Sequence, residues 1–147
     1  MASAGAYFDT SVLVKRYVNE PGSTRARELL RRLSVVSSAL APIEAISAIR
    51  RRLRVGEVDE REARAMIRRL ANDRGGWQLI NVEPTILARA ELLVRDVTLR
   101  TLDAIHVASA LVVVEGMARR VPFVTADATQ RAAAQRCHLE VVWVDHP

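Results

Sequence analysis

The sequence predicts an α/β fold: a three-layer α/β/α domain with a mainly parallel central sheet. Short apolar runs alternate with longer segments of helical periodicity along the whole chain. Glycine and proline punctuate the joins, as at Pro21-Gly22 and Gly75-Gly76. Strands separated by helices need right-handed crossovers, which make neighbouring strands parallel and put helices on both sheet faces. A chain of 147 residues suits a single domain spanning 1–147, with no repeat, low-complexity stretch or internal linker.

Ala6-Tyr7-Phe8 is expected as a buried strand ending at Asp9. Residues 11–19 then form a helix that Pro21-Gly22 stops, and residues 21–33 a second with Leu29, Leu30 and Leu33 on its apolar side. Ser34-Val35-Val36-Ser37 is a short strand. From Ala41, the spacing of Ile43, Ile46, Ile49 and Leu53 predicts an amphipathic helix over 41–55, broken at Gly56. Asp59 opens the next helix, whose apolar stripe is Ala63, Met66, Ile67 and Leu70. Further strands are expected at 77–82, 122–125 and 141–144, and helices at 84–95, 101–115 and 127–136.

Composition narrows the function. Half of the residues are hydrophobic, enough for a core without staples, and the single Cys137 excludes an internal disulfide or a thiolate metal site. A reducing, cytoplasmic setting fits that cysteine usage. The N-terminus lacks the pattern of a secretion signal. The longest uncharged apolar segment, 106–114, is too short to span a bilayer, so no membrane role is expected. Lysine plus arginine is 22 against 17 acids, for a net charge of +5, and Lys15 is the only lysine. Arginine forks match phosphate geometry, so a polyanionic partner is expected.

Asp9 and Asp127 sit at the ends of expected strands, and Glu44 and Asp103 in the first turns of expected helices. In an open α/β sheet these positions face one edge, where ligands bind. Four carboxylates brought together repel one another and raise each other's pKa. A hard divalent cation such as Mg²⁺ or Mn²⁺, which prefers oxygen ligands, removes that penalty and can activate water beside a phosphate. Each acid also has a structural reading. Asp9 and Asp127 can cap helices, Asp127 in a capping box with Gln130, while Asp103 and Glu44 suit the positive end of a helix dipole.

The segments YFDTSVLVKRY, APIEAISAIRR, LRTLDAIHVASAL and FVTADATQRAAA resemble, in order and spacing, the signature segments of PIN-domain ribonucleases, most of all VapC toxins. The likeness runs from Tyr7 to Trp143. It implies Mg²⁺- or Mn²⁺-dependent hydrolysis of RNA phosphodiester bonds. It carries the acidic quartet onto Asp9, Glu44, Asp103 and Asp127, with Asp9 and Asp103 as direct metal ligands. Glu44 and Asp127 become ligands of a second ion or supports acting through water, and Ser11 and Thr125 supply supporting hydroxyls. As partners it implies an RNA substrate, a cognate small antitoxin and a second copy in a homodimer, with residues 41–74 as a plausible interaction surface.

Of the remaining residues, His106 follows Asp103 by three positions and is read as a structural, hydrogen-bonded histidine rather than a ligand. His138 and His146 carry no partner pattern, and Cys137 is read as inert. The arginines at 50–54 and 61–69 present a basic surface that either guides RNA phosphates or answers helix dipoles. Two other functions compete. A receiver or phosphatase site would want a late lysine, or an acid two residues after Asp9; Lys15 is early and that position is Ser11. A non-catalytic binding module would not need the intact acidic set.

Overall fold

In a computed structural model of the chain, residues 4–117 and 119–144 are described; the sequence readings at His146 lie outside them. Five strands form one sheet: β1 (Gly5–Phe8), β2 (Ser34–Ser38), β3 (Gln78–Ile80), β4 (Phe123–Thr125) and β5 (Val141–Trp143). Their order is β3-β2-β1-β4-β5, and every pairing is parallel. The helices are α1 (Thr10–Val14), α2 (Ser23–Arg32), α3 (Ala41–Arg54), α4 (Glu60–Asp73), α5 (Pro84–Asp96), α6 (Thr101–Gly116) and α7 (Ala128–Arg136), with one 3-10 turn at Arg74–Gly76.

Alternation along the strands splits the core in two. Tyr7, Val36 and Phe123 pack with Val107 and Leu111 of α6 and Ala133 and Ala134 of α7. Ala6, Phe8, Val35 and Val124 pack with Val12 and Leu13 of α1 and Ala26 and Leu29 of α2. Successive side chains leave a strand on opposite faces, so both faces are apolar and both need helical cover. The Tyr7 and Phe123 rings stack across β1 and β4, with centroids 5.5 Å apart. The connections leave β1 for β2 on one side and reach β4 on the other. The switch in strand order therefore falls between β1 and β4, and its crevice opens at their carboxyl ends.

Two expectations about helices shift. The helix after Asp9 is regular only over Thr10–Val14 and then loosens into turns. The apolar face of α3 is Ala41, Ala45, Ala48 and Ile49; Ile43, expected on it, is 67% exposed. Small alanines let α3 approach α1 closely, which rotates the larger Ile43 outwards. In α4 the buried residues are Ala63 and Leu70, with Met66 and Ile67 half-buried. Asp59 caps α4 as anticipated: its side chain accepts from Glu62 N at 2.8 Å, and the Glu62 side chain accepts from Asp59 N. Asp59→Ala is expected to lower stability by about 1 kcal/mol, the usual worth of such a cap. Urea titration checks this, and a midpoint unchanged from wild type would contradict it.

Candidate active site

Asp9 ends β1 and caps α1. It is fully buried, and both carboxylate oxygens are held: Oδ1 accepts from Ser11 Oγ at 2.5 Å and Val12 N at 3.3 Å, Oδ2 from Thr125 Oγ1 at 2.5 Å. Burial pushes its pKa up from 3.8 to about 6, against the opposing pull of His106 and of these hydrogen bonds. Ser11 and Thr125 therefore fix the Asp9 carboxylate by hydrogen bonds. Ser11 also accepts from Ala126 N at 3.0 Å, and Thr125 from Asp127 N at 3.0 Å, which ties the β1 and β4 ends together.

The first turns of α3 and α6 bring the next two acids to the same edge. Glu44 Oε1 accepts from Thr10 Oγ1 at 3.0 Å and lies 2.7 Å from His106 Nε2. Asp103 is 5% exposed; Oδ1 accepts from Gln130 Nε2 at 2.9 Å and Oδ2 from Arg100 Nε at 3.0 Å. Asp127 caps α7, accepting from Gln130 N at 2.9 Å, while Arg100 Nη2 stands 3.8 Å from its other oxygen. The capping box expected with Gln130 is therefore only half made, because the Gln130 amide reaches across to Asp103 instead.

Glu44, Asp103 and Asp127 line one cleft of ≈ 290 Å³ together with Thr10, Ser11 and Gln130. Asp9 lies beneath it, in contact with Ser11. Three of the expected acids thus line one cleft at the edge beyond β1 and β4, and the fourth, Asp9, is bonded to its Ser11 wall. Among the described residues no three of them form a ready-made metal cage. The donor set still fits a hard divalent cation: it is all oxygen, and Mg²⁺ characteristically takes one or two carboxylates and fills the rest of its octahedron with water.

Sequence reasoning missed three participants. Thr10, inside the Asp-Thr-Ser run, links Glu44 to the β1 end. Arg100 sits between Asp103 and Asp127, and its spacing of three residues from Asp103 was the available signal. Lys15 is 4% exposed on the cleft wall, where Nζ donates to Glu20 Oε1 at 3.0 Å and Pro21 O at 2.8 Å. His106 is hydrogen-bonded as expected, and it is buried. Its Nδ1 lies 2.9 Å from Tyr7 Oη and its Nε2 3.2 Å from Thr10 Oγ1. Burial drives the Tyr7 pKa far up, so the phenol keeps its proton. Thr10 Oγ1 donates to Glu44 Oε1, and His106 Nε2–H donates to the same oxygen.

The chain belongs to the PIN-domain family, whose sequence pattern matches residues 6–136. Within that family it falls with the VapC ribonucleases. It is 39% identical to Ribonuclease VapC46 of Mycobacterium tuberculosis (strain ATCC 25618 / H37Rv) over 108 residues, which is 73% of this chain and 75% of that protein. The fold is similar to that in a toxin–antitoxin complex from Klebsiella pneumoniae (TM-score 0.70, 18% identity, 97% of this chain and 100% of that one). FitAcB from Neisseria gonorrhoeae matches equally well (TM-score 0.70, 15% identity, 95% and 97% of the two chains).

Proposed function

We propose that this chain is the toxin of a toxin–antitoxin pair and hydrolyses RNA phosphodiester bonds with Mg²⁺ or Mn²⁺ at the carboxylate cleft, acting in the cytoplasm as one 1–147 domain. The observation that carries this reading is the cleft beyond β1 and β4, lined by Glu44, Asp103 and Asp127 with Asp9 bonded to its Ser11 wall, in a PIN-domain chain similar to a ribonuclease. Asp9 and Asp103 are the residues to hold the ion, with Glu44 and Asp127 supporting it through water. When bound, the metal supplies charge neutralisation at the phosphate and activation of a water molecule.

The chain's own residues do the positioning. Ser11 and Thr125 fix both oxygens of Asp9. His106 and Thr10 both engage Oε1 of Glu44, which leaves Oε2 for the cleft and for a proton from water. Gln130 orients Asp103. The Arg100 guanidinium, held charged by its hydrogen bond to Asp103, tempers the repulsion between Asp103 and Asp127.

Purified protein is expected to cut RNA with Mg²⁺ or Mn²⁺, to stop on chelation and to resume when metal is restored. Cleavage that persists in chelator, or that Asp9→Asn leaves intact, would refute the reading. Failure to trap a phosphoryl group on Asp9 separates it from the receiver-type alternative. RNA, a cognate small antitoxin and a second copy of the chain complete the proposed partners. Ile43 and Leu102, 67% and 45% exposed, give a protein partner an apolar foothold beside the acids. No helix among the described residues is long and apolar enough to cross a membrane.

A further inference from the structure

We propose that a second cleft, lined by Arg16, Thr24, Arg27, Arg31 and Arg69, is a phosphate-binding subsite that holds the RNA chain away from the bond being cut. The proposal rests on the ribonuclease reading for the identity of its ligand. The cleft measures ≈ 360 Å³ and takes four guanidinium groups, from the end of α1, from α2 and from α4, with one hydroxyl.

Three of the four arginines are placed without being neutralised; Arg16 is paired with Asp73. Arg27 is fixed by neutral acceptors: Nε donates to Arg16 O at 3.3 Å, and Nη2 to Val18 O at 3.3 Å and Asn19 Oδ1 at 2.7 Å. Arg69 lies over the Tyr17 ring, 5.6 Å from its centroid. Asp73 is committed to Arg16 Nε at 2.7 Å and to Tyr17 Oη at 2.9 Å. Among the described residues Arg27, Arg31 and Arg69 have no carboxylate within ion-pair distance. Helix α2 sorts its arginines accordingly. Arg25 and Arg32 both pair with Glu28, at 3.2 and 3.0 Å, while Thr24, Arg27 and Arg31 share the cleft face at i, i+3 and i+7. Like charges at i, i+4, as Arg27 and Arg31 are, destabilise a helix by themselves. An anion in the cleft offsets that cost, and guanidiniums already held in place lose little freedom on binding it.

The ligand is a chain rather than an isolated anion because a neighbouring hollow shares one lining residue with the cleft and another with the active site. Thr24 also lines a neighbouring hollow with Glu20 and Trp143, and Glu20 lines the carboxylate cleft. Glu20 does not repel a phosphodiester passing over it, because Lys15 and Arg52 both pair with it. Of the basic surface that the sequence put on the helix pair α3–α4, Arg69 joins the cleft and three other arginines are less available. There Arg50 and Arg64 pair with Glu60, and Arg52 with Glu20 and Glu57.

The test compares Arg31→Gln/Arg69→Gln with Arg95→Gln/Arg120→Gln, which removes equal charge elsewhere. Both are made in wild type for kinetics and in Asp9→Asn for binding. For single-stranded RNA the cleft variant is expected to bind about tenfold more weakly, and its log-affinity against log-salt slope to fall by about 1.4, the share of two phosphate contacts. Its KM should rise with kcat retained, while the control stays near wild type. No loss of affinity, an equal loss in the control, or a loss with unchanged salt slope overturns the subsite. If wild type binds RNA in this pattern and cuts none, the ribonuclease reading fails and the subsite stands.

Discussion

Asp9→Asn is expected to abolish RNA cleavage and at the same time to make the metal-free protein more heat-stable at pH 7. The carboxylate is fully buried, and burial lifts its pKa from 3.8 to about 6. The folded value lies above the unfolded one, so folding favours the protonated form. Below pH ~4 both states are protonated and there is no penalty. Between pH ~4 and ~6 the penalty grows, and above that it is complete, on the order of 3 kcal/mol at 1.36 kcal/mol per pKa unit. Asparagine removes the charge and loses one acceptor oxygen. Thr125 can then accept from the new amide and turn its own hydroxyl towards Asp127 O, which lies 3.4 Å away. The net gain should be about 1–2 kcal/mol, or roughly 3–6 °C in Tm at this size.

Melting curves at pH 4 and pH 7 read the effect directly. The gain should vanish at pH 4, and a lower Tm for Asp9→Asn at pH 7 would contradict it. Saturating Mg²⁺ should reverse the order, because only wild type gains binding energy. Cleavage should fall by a factor on the order of a thousand, from the several kcal/mol that a metal supplies to a phosphoryl transition state. The sequence-level repulsion argument extends the same gain to Asp103→Asn, but the structure separates the two. Asp103 keeps Arg100 and Gln130 as partners, so neutralising it removes a favourable pair rather than an unpaired buried charge.

The fold was legible because its signals are local and repeated. Each strand is a short apolar run and each helix is bounded by glycine, proline or a capping acid. Handedness then makes the sheet mainly parallel with helices on both faces, while the order β3-β2-β1-β4-β5 is read only from the structure. Ile43 could not be placed in this way, since periodicity shows that a helix has an apolar side but not which neighbour it meets. Close packing through Ala45 and Ala48 leaves Ile43 outside while Ile49 stays buried. The gathering of acids at one sheet edge was legible, and their partners were not. Cap and site acid were posed as rival roles for Asp127 and Asp9; both residues cap a helix, and capping does not exclude the other role. One oxygen of Asp127 serves α7 and the other faces Arg100; Asp9 caps α1 from the floor of the cleft. What holds Glu44 comes from residues 34 and 62 positions away, Thr10 and His106. Local spacing carries no information about contacts of that range.

His106→Ala should be the most destabilising single change at the site, because His106 joins the core to the cleft. Its ring is 1% exposed and in contact with Tyr7, Thr10 and Glu44. Truncation leaves a cavity against Tyr7, whose ring meets the imidazole edge-on at 5.9 Å. It also removes one hydrogen bond of the Tyr7 hydroxyl, which keeps Ser109 and Ser37 as partners, and the donor that helps Thr10 fix Glu44. A cavity of this kind costs about 2–5 kcal/mol and each lost buried hydrogen bond about 1 more. Allowing for partial relaxation, a loss of about 4 kcal/mol is expected, or roughly 10 °C in Tm. Tyr7→Phe removes only the hydroxyl and its bond to Nδ1 and should cost about 1–2 kcal/mol. His106→Gln offers an amide donor to Glu44 at a similar reach, and tells packing from positioning. If His106 positions Glu44, Gln restores cleavage more fully than it restores Tm, and calorimetric Mg²⁺ affinity recovers with cleavage. If the ring acts only as filler, Tm and activity of the two variants rise and fall together, and metal affinity per folded molecule does not change between them.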